Sequence, residues 1–239
     1  MIQKALEYLV GLHDNKTYII DGHNYSDNPL YEVKKPKPAP ESITVATLSS
    51  VAELIRREEK HFVTPTFIEI LSARELLVYS TYDVKDEFNR RTYYNVKCGA
   101  PMFIPGWYER EDIIIKLMSL FDKTPDLDYV LDLISKISQN SSVETADNGI
   151  TQKVTARQGV ELKETTAIKP IVSLKPFRTF LEVEQPESKF LLRVGEHVKI
   201  GLIEADGGKW TLNAKQNIAD YFAANLKDLI ETGSIVVVF

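Results

Sequence analysis

Cysteine is almost absent from this chain, since its 239 residues include only Cys98. A lone cysteine cannot form an internal disulfide, and secreted proteins more often carry an even set of cysteines. No histidine lies near Cys98 in the sequence, so we expect this residue to act as a small hydrophobic side chain. These observations predict a protein of the reducing cytoplasm whose fold does not depend on disulfides.

Long hydrophobic runs are also absent. The longest wholly apolar run is IVVVF, the five residues 235–239, whereas a membrane-spanning helix needs about 18 or more. The first residues, MIQKALEYLVGLHDN, mix acidic and basic side chains and lack the parts of a signal peptide. We therefore expect a soluble protein with no export signal and no membrane partner.

Neither sign of charge dominates the composition. The 34 acidic and 29 basic residues give a net charge of -5, which weighs against general nucleic-acid binding because phosphate contacts depend on neutralising cations. The densest basic cluster, Lys34, Lys35 and Lys37, alternates with prolines and favours an extended, solvated linker. Hydrophobic residues make up 44% of the chain, which at this length is enough for a self-supporting core.

Residues 1–140 combine strand-like and helical patterns and predict an N-terminal α+β region. Strands at residues 63–71, 75–82 and 91–96 are expected to form a mixed sheet. Apolar periodicity predicts helices at Gln3–Leu12, Ser49–Lys60, Arg110–Phe121 and Asp126–Ser138, with a short strand at Thr17–Asp21. The last two helices form a hairpin, because Thr124 is a natural N-cap and Pro125 suits a first helical turn. The Pro-rich residues 23–42 predict a loop or arm.

The C-terminal part predicts an antiparallel sheet that carries one long helix. Three strand-like runs between Lys175 and Trp210 are separated by turn residues, which is typical of a meander. Further strands are predicted at residues 150–156 and 160–165, a helix at 213–230 and a last strand at 235–239. The last strand is β-branched, so we expect it to pair inside the C-terminal sheet or across a symmetric homo-oligomer interface.

The predicted fold class is therefore α+β, with an N-terminal mixed sheet and helical hairpin followed by the C-terminal sheet and its helix. The polar segment Gln139–Gly149 is the best boundary between a region at 1–140 and a region at 147–239. One continuous domain is the alternative.

A metal site is one candidate for chemistry in the N-terminal loop. Asp21, His23 and Asp27 carry oxygen and nitrogen ligands for a divalent cation. The stronger interpretation is a turn-rich loop, because Asp and Asn next to Gly and Pro bind their own backbone. These three residues are thus weak metal candidates.

A nuclease-like pattern is a second candidate, with Pro125-Asp126 followed by the acidic-x-Lys triplet Glu161–Lys163. Such a site requires both acids on strands, whereas Asp126 is predicted to open a helix. If the protein were a metal-dependent enzyme, the acids to test would be Asp21, Asp126, Asp147 and Glu161. No catalytic residue and no cofactor is predicted.

Charged residues of the meander are candidate binding residues. Arg178, Glu184 and Arg193, together with Glu182, are expected to form a cross-strand ladder. Such pairs contribute about 0.2–1 kcal/mol each, so a structural role is favoured over a functional groove. The turn Asp206–Lys209, which leads into a helix, is explained by turn chemistry without an anionic ligand.

Aromatic residues cluster before the first helix of the hairpin. Phe103, Trp107 and Tyr108 either staple the helix entry or form an exposed surface for a partner. The pattern does not separate these two interpretations. Trp107 and Tyr108 are therefore candidate binding residues as well.

Three segments together resemble a known family: DNGITQKVTARQGV (Asp147–Val160), KPFRTFLEVEQPESKFLLR (Lys175–Arg193) and EADGGKW (Glu204–Trp210). The chain is similar over roughly Leu48–Phe239 to the YfdQ-like family of uncharacterised phage and prophage proteins. The resemblance implies a phage-encoded protein of the host cytoplasm. It transfers no active-site residue.

The first functional hypothesis is a non-enzymatic phage accessory protein that binds a host or phage partner. Its partner would be a protein or a small anionic ligand, and its role would be evasion of host defence or support of phage DNA metabolism. The alternatives are a metal-dependent enzyme acting on nucleic acid or nucleotides and a component of virion assembly. A homo-oligomer is expected under each hypothesis.

Overall fold

The fold is given by a computed structural model that describes residues 4, 17–20, 23–26, 40–84, 88–138, 142–147, 152–158, 161–195 and 199–239. The chain divides into two compact units, residues 1–40 and residues 41–239. In the first unit, β1 (Thr17–Ile20) pairs with β2 (His23–Ser26) in an antiparallel hairpin. The predicted strand at Thr17–Asp21 is confirmed, whereas residues 23–26 are strand where a loop was predicted. Of the predicted helix Gln3–Leu12, only Lys4 lies within the described residues.

The second unit contains most of the secondary structure. Its elements, in chain order, are β3 (Ile43–Val45), α1 (Leu48–Glu58), a 3-10 turn (Glu59–His61), β4 (Thr66–Ile70), β5 (Glu75–Ser80), β6 (Thr92–Lys97), β7 (Gly106–Tyr108), α2 (Arg110–Ser119), β8 (Phe121–Asp122), α3 (Pro125–Ser138), β9 (Ser142–Asp147), β10 (Gln152–Gln158), β11 (Glu161–Ile168), β12 (Ile171–Pro176), β13 (Ser188–Val194), β14 (Ile200–Glu204), α4 (Trp210–Asn225), α5 (Lys227–Glu231) and β15 (Ile235–Val238). The α+β class is confirmed.

One five-stranded sheet is mixed and has the order β15-β4-β5-β6-β3. The two edge strands run parallel to their neighbours and the inner pairs are antiparallel. Alternate residues of β4 and β5 are buried, as expected for strands covered on one face. Helices α1 and α4 cover that face, and they contribute Val51, Ile55, Ile218 and Phe222 to its core.

The other five-stranded sheet is antiparallel and has the order β7-β14-β13-β12-β8. The helical hairpin α2–α3 packs on its inner face, with Ile113, Leu117, Val130 and Ile134 against Leu192 and other strand residues. The Thr124 N-cap is confirmed, because its Oγ1 accepts a hydrogen bond of 3.1 Å from the amide of Leu127. The hairpin and this sheet thus form the second core.

The helices are exchanged between the sheets relative to the prediction. The hairpin, expected on the N-terminal sheet, covers the antiparallel sheet, and the long helix α4 covers the mixed sheet. An apolar helix face requires burial, but its pattern does not specify which sheet provides it. The last strand, β15, likewise pairs with β4 of the mixed sheet and not inside the C-terminal sheet.

Of the three strand-like runs predicted between Lys175 and Trp210, the second and third correspond to β13 and β14, but the first was misplaced. The first strand of the meander is β12, and the run after it, Phe177–Glu187, is irregular. Arg178, Thr179 and Phe180 are buried in succession, which the alternation of a half-buried strand does not allow. We call residues Arg178–Gln185 the clasp, because their side chains contact both sheets.

The side chain of Gln185 holds the clasp in its irregular shape. Its Oε1 accepts hydrogen bonds from the amides of Arg178 (2.9 Å) and Thr179 (3.3 Å), and its Nε2 donates to the carbonyl of Phe180 (3.0 Å). Thr179 Oγ1 donates to Ala73 O, beside the mixed sheet, at 2.5 Å. Glu182 Oε1 accepts from the amide of Leu48 at 2.8 Å and so caps α1.

A three-stranded sheet of order β11-β10-β9 precedes β12. Its strands β10 and β11 confirm the strands predicted near residues 150–156 and 160–165. The side chain of Gln152 is buried and forms two hydrogen bonds with the backbone of Val194, of 2.6 and 2.9 Å. The predicted boundary segment Gln139–Gly149 contains β9, and its remaining residues lie outside the described part of the chain.

The clasp generates the first testable prediction. Replacing Gln185 with alanine should lower the free energy of unfolding by about 3 kcal/mol, because two buried amides lose their acceptor and buried carbonyls lose their donor. Urea denaturation of wild type and variant measures this difference. Gln216→Ala, which changes an exposed glutamine of α4, is the matched control and should change stability by less than about 0.5 kcal/mol. Equal destabilisation by both variants would show that Gln185 does not hold the clasp.

Candidate functional site

A buried arginine lies where the clasp meets the antiparallel sheet. Arg178 is 2% exposed, and its Nη1 donates a hydrogen bond of 2.5 Å to Glu204 Oε1 at the end of β14. The guanidinium carbon lies 4.9 Å from the ring centre of Phe190 and 4.6 Å from that of Trp210. One cation thereby connects β13, β14 and the start of α4.

Burial sets the electrostatics of this arginine. Loss of hydration lowers the pKa of Arg178 from its ordinary value, while the carboxylates of Glu204 and Asp206 act in the opposite direction. Arginine is so strong a base that the side chain stays charged. A buried charge of this kind is stable only with its partner, and removing one member of such a pair typically costs about 3–5 kcal/mol.

Three buried polar atoms near this pair have no hydrogen-bond partner among the described residues. They are Arg178 Nε, Arg178 Nη2 and Ser188 Oγ. Nε and Nη2 lie on the same edge of the guanidinium and form its two-donor fork. Buried polar groups of folded proteins are nearly always hydrogen-bonded, so an unpaired set requires an explanation.

A cavity of about 350 Å³ lies beside Ser188, between the first residues of β13 and the first turn of α4. We call it the α4 cavity. Its lining includes Ser188, Lys189, Asp206, Lys209, Trp210 and Asn213. The hydroxyl of Ser188 is thus both buried and part of the cavity wall.

The wall on the side of α4 is formed by a tight turn, as predicted from the sequence. Gly207 and Gly208 have φ angles of 66° and 79°, in the left-handed region that only glycine adopts easily. Asp206 Oδ1 accepts a hydrogen bond of 3.0 Å from the amide of Gly208, and Thr211 Oγ1 donates to the carbonyl of Gly208 at 2.7 Å. No side chain caps the start of α4.

A second cleft of about 520 Å³ lies at the start of α3, and Glu187 lines both it and the α4 cavity. Its other charged residues are Lys123, Asp126, Lys169 and Lys175. The Asp126 carboxylate accepts hydrogen bonds from Lys169 Nζ at 2.7 Å and from the amide of Ser173 at 2.7 Å. Asp126 therefore ties α3 to β12.

The predicted charge ladder does not form. Arg178 pairs with Glu204, whereas Glu184 pairs with Lys175 at 2.6 Å and Glu182 caps α1. The reason is that the run carrying Arg178 and Glu184 is the irregular clasp and not a strand, so these side chains form no cross-strand pair with Arg193 on β13. Arg193 lies on β13 opposite Gly201.

The aromatic pair on β7 separates into an outward and an inward residue. Trp107 is 51% exposed and lies on Gly195 and Gly201, where an added Cβ would come within 2.9 and 3.0 Å of its ring. Tyr108 packs against the core beneath the hairpin, and its hydroxyl donates to the carbonyl of Ile104. Burial raises the pKa of Tyr108. Of these two residues, only Trp107 presents an exposed aromatic surface.

Trp107 belongs to an apolar band on the outer face of the antiparallel sheet. The strand register places Ile171, Leu191 and Ile203 in one row across β12, β13 and β14. The next row across the sheet contains Arg193, Gly201 and Trp107. The same face carries Lys189, two residues from Leu191 on β13, and Lys175, four residues from Ile171 on β12. We call this surface the outer band, with members Trp107, Ile171, Leu191, Ile203 and the bases Lys175, Lys189 and Arg193.

The predicted metal ligands are only partly within the described residues. Asp21 and Asp27 lie outside them, and His23 is described as the first residue of β2, opposite Ile20. Asp147 and Glu161 pair with Gln152 and Gln158 at opposite ends of β10, which separates them by about 20 Å. One metal ion cannot bind both. Across the described ranges, no group of three or more His, Cys, Asp or Glu side chains is placed to hold a metal.

Cys98 packs against the core of the mixed sheet as a free thiol. The prediction that it acts as a small hydrophobic side chain agrees with this position. Its carbonyl accepts a hydrogen bond of 2.9 Å from Arg74 Nη2.

Comparison of the chain with protein-family models, with curated proteins and with solved structures found no match. The resemblance to the YfdQ-like family therefore stays a prediction. Among the helices described, none has both the length and the apolar character needed to cross a membrane.

Sequence reasoning selected Arg178 but missed its surroundings. It did not predict the partner Glu204, the contact with Trp210 or the unpaired hydroxyl of Ser188. One available signal is the run RTF (178–180), whose three residues are buried in succession and thus do not follow the strand period. That break marks the place where the chain leaves the sheet.

Asp126 generates a prediction about pH. Burial acts to raise the pKa of this carboxyl, but hydrogen bonds from Lys169 and Ser173 outweigh it, and the pKa is lowered. Its stabilising effect is therefore complete above the unfolded value of about 3.9 and is lost as the pH falls towards the folded value. Asp126→Asn should cost about 1 kcal/mol at neutral pH and progressively less below about pH 4. Urea denaturation across this pH range measures the change.

The control for this prediction is Asp132→Asn, which removes an exposed carboxylate from the i,i+4 pair with Lys136 on the same helix. It should cost less than about 0.5 kcal/mol at every pH. A cost for Asp126→Asn that stays constant with pH would contradict the lowered pKa.

Proposed function

We propose that the protein is a non-enzymatic binding protein, encoded by a phage and acting in the host cytoplasm, whose outer band contacts a protein partner. The observation that carries this proposal is the half-exposed ring of Trp107, which lies flat on two glycines beside Ile203 and Leu191. Tryptophan and arginine are the residue types that most often dominate protein interfaces. The outer band places Trp107 and Arg193 in one row.

The charge of the outer band indicates the chemistry of the partner. The chain has a net charge of -5, yet the outward positions of the antiparallel sheet carry three bases, Lys175, Lys189 and Arg193, against one acid, Asp122 on β8, which is the register partner of Lys175. A surface that combines apolar and acidic side chains is complementary to this face. We propose such a surface on a host or phage protein, with evasion of host defence or support of phage DNA metabolism as the task. The family resemblance supports the phage context.

The metal-dependent enzyme is the less favoured alternative. It needs Asp126 as a ligand, and the Asp126 carboxylate is already bound to Lys169 and Ser173. It also needs acids on neighbouring strand positions, whereas Asp147 and Glu161 lie at opposite ends of β10.

Self-association is supported by a separate observation, the position of β15. This strand forms one edge of the mixed sheet and pairs on one side with β4. Its residues Ile235–Val238 include no charge, no proline and no bulge, which are the usual protections of an exposed edge. We propose that two copies pair through β15 in a symmetric dimer, and assembly into a larger particle would use the same edge.

The outer band can be tested with two matched substitutions. Ile203→Glu changes a residue that is 38% exposed within the band, and Ile115→Glu makes the same change at a residue of α2 that is 60% exposed. Affinity capture from phage-infected host lysate, followed by binding measurements with the purified partner, should show about a tenfold or greater loss for Ile203→Glu. Trp107→Ala should lose binding similarly, and Ile115→Glu should bind as wild type.

Two results would count against the outer band. One is a partner that binds the wild type, Ile203→Glu and Trp107→Ala with the same affinity. The other is a captured species that proves to be a second copy of this chain, because the face would then be a self-association surface.

The edge strand is tested by Val238→Lys, which adds a charge to a residue that is 40% exposed and should block strand pairing between copies. Light scattering should give the mass of a dimer for the wild type and of a monomer for the variant, with little change in melting temperature. Val84→Lys, at an exposed valine outside the sheets, is the control and should remain dimeric. A wild-type protein that is monomeric at high concentration would contradict the proposed dimer.

A further inference from the structure

One unpaired donor, that of Ser188, lines the α4 cavity, and Trp210 of the cavity wall contacts the arginine that carries two more. Ser188 is 2% exposed and lines the cavity, and its hydroxyl has no partner among the residues described. Arg178, equally buried, leaves Nε and Nη2 unpaired. Each buried donor without an acceptor costs about 1–3 kcal/mol. Three together point to an acceptor that belongs in this place.

The strand register brings these donors to one corner of the sheet. Ser188 and Phe190 are two residues apart on β13, so both face the inner side of the sheet, and both are buried. Arg178 lies against the ring of Phe190, and Phe190 is the register partner of Glu204. Trp210, whose ring also contacts Arg178, is itself part of the cavity wall. Ser188 and Trp210 therefore both line the cavity, and Arg178 contacts one of them, Trp210.

The geometry of the free donors indicates what they would bind. Nη1 of Arg178 is bound to Glu204, while Nε and Nη2 form the side-on fork that presents two parallel N–H groups. This spacing matches the two oxygens of a carboxylate, which arginine binds in a bidentate manner. The hydroxyl of Ser188 supplies a third donor.

The surrounding charges favour a single negative charge. The charges around the cavity are balanced, with three bases, Arg178, Lys189 and Lys209, and three acids, Glu187, Glu204 and Asp206. Glu204 is bound to Arg178, so a dianion such as phosphate would meet the carboxylates of Glu187 and Asp206 at the cavity wall. A monoanion meets less repulsion and is favoured by the start of the 16-residue helix α4. The volume of about 350 Å³ lies at the small end of ligand sites.

We propose that the α4 cavity is a binding site for a carboxylate, whose oxygens accept hydrogen bonds from the Arg178 fork and from Ser188 Oγ. Trp210 both lines the cavity and contacts Arg178, so the carboxylate would reach the Arg178 fork beside this ring. The carboxylate belongs to a small organic acid or to the C-terminus of a peptide. This site shares Lys189 with the outer band, but its proposed donors are other residues, so either proposal can fail without the other.

Tryptophan fluorescence provides a direct test, because the chain has two tryptophans. In a Trp107→Phe background, Trp210 is the single reporter. Sodium acetate should change its emission in a saturable manner, while sodium chloride of equal ionic strength should not, and inorganic phosphate should bind more weakly than acetate. An acetylated Ala-Ala dipeptide with a free C-terminus, compared with its C-terminal amide, distinguishes a peptide terminus from a free acid.

Substitutions then assign the donors. Ser188→Ala should weaken acetate binding about tenfold, the loss of one hydrogen bond to a charged group. Its melting temperature should not fall, because the hydroxyl has no partner among the described residues. Ser119→Ala, whose hydroxyl binds the carbonyl of Ile115 on α2, is the control and should leave acetate binding unchanged. The ¹⁵N signal of Arg178 Nε–H should shift with acetate in the Ser119→Ala protein and shift less in Ser188→Ala.

Three outcomes would overturn the proposal. If acetate and chloride act alike on Trp210 and on the Arg178 Nε–H signal, water alone meets the unpaired donors. If phosphate binds more tightly than acetate, the ligand class is wrong. If acetate binds equally well to Ser188→Ala and to the control, the carboxylate lies elsewhere.

Discussion

The structure of residues 41–239 depends on one buried cation. Arg178 is held by the Glu204 carboxylate and by the rings of Phe190 and Trp210, and it opens the clasp that runs between the two sheets. A charge in this position is costly without its partners, so Glu204, Phe190 and Trp210 must all be in place when the fold is complete. Because Trp210 starts α4, the same contact sets where the long helix leaves the antiparallel sheet to cover the mixed one.

The clasp explains how two sheets with separate cores form one compact unit. Thr179 bonds to the carbonyl of Ala73 and Glu182 caps α1, both in the mixed-sheet half, whereas Arg178 belongs to the antiparallel half. Gln185 substitutes for the missing strand ladder by binding backbone amides and carbonyls of the clasp itself. Irregular backbone can be buried only when its polar groups are paired in this way. The clasp is thus a structural element in its own right.

The same arrangement creates both candidate surfaces. Since the hairpin occupies the inner face of the antiparallel sheet, the outer face is left with Trp107, Ile203 and their basic neighbours. Since the chain turns sharply at Gly207 and Gly208 into an uncapped helix, a cavity remains beside Ser188. Partner binding and carboxylate binding would therefore use mainly opposite sides of one sheet.

The sequence by itself determined the features that depend on neighbours along the chain. These include most helices and strands, the Thr124 cap, the two-glycine turn and the α+β class, because capping, periodicity and turn chemistry act over a few residues. Tertiary structure alone decided which sheet each helix covers, where β15 pairs and that Arg178 is buried against Trp210. An apolar stripe on a helix indicates that this face is buried, but it does not indicate which sheet covers it. The covering sheet is decided by contacts between residues far apart in the chain. The candidate site belongs to this second class, since Arg178, Ser188 and Trp210 come together only when the clasp closes.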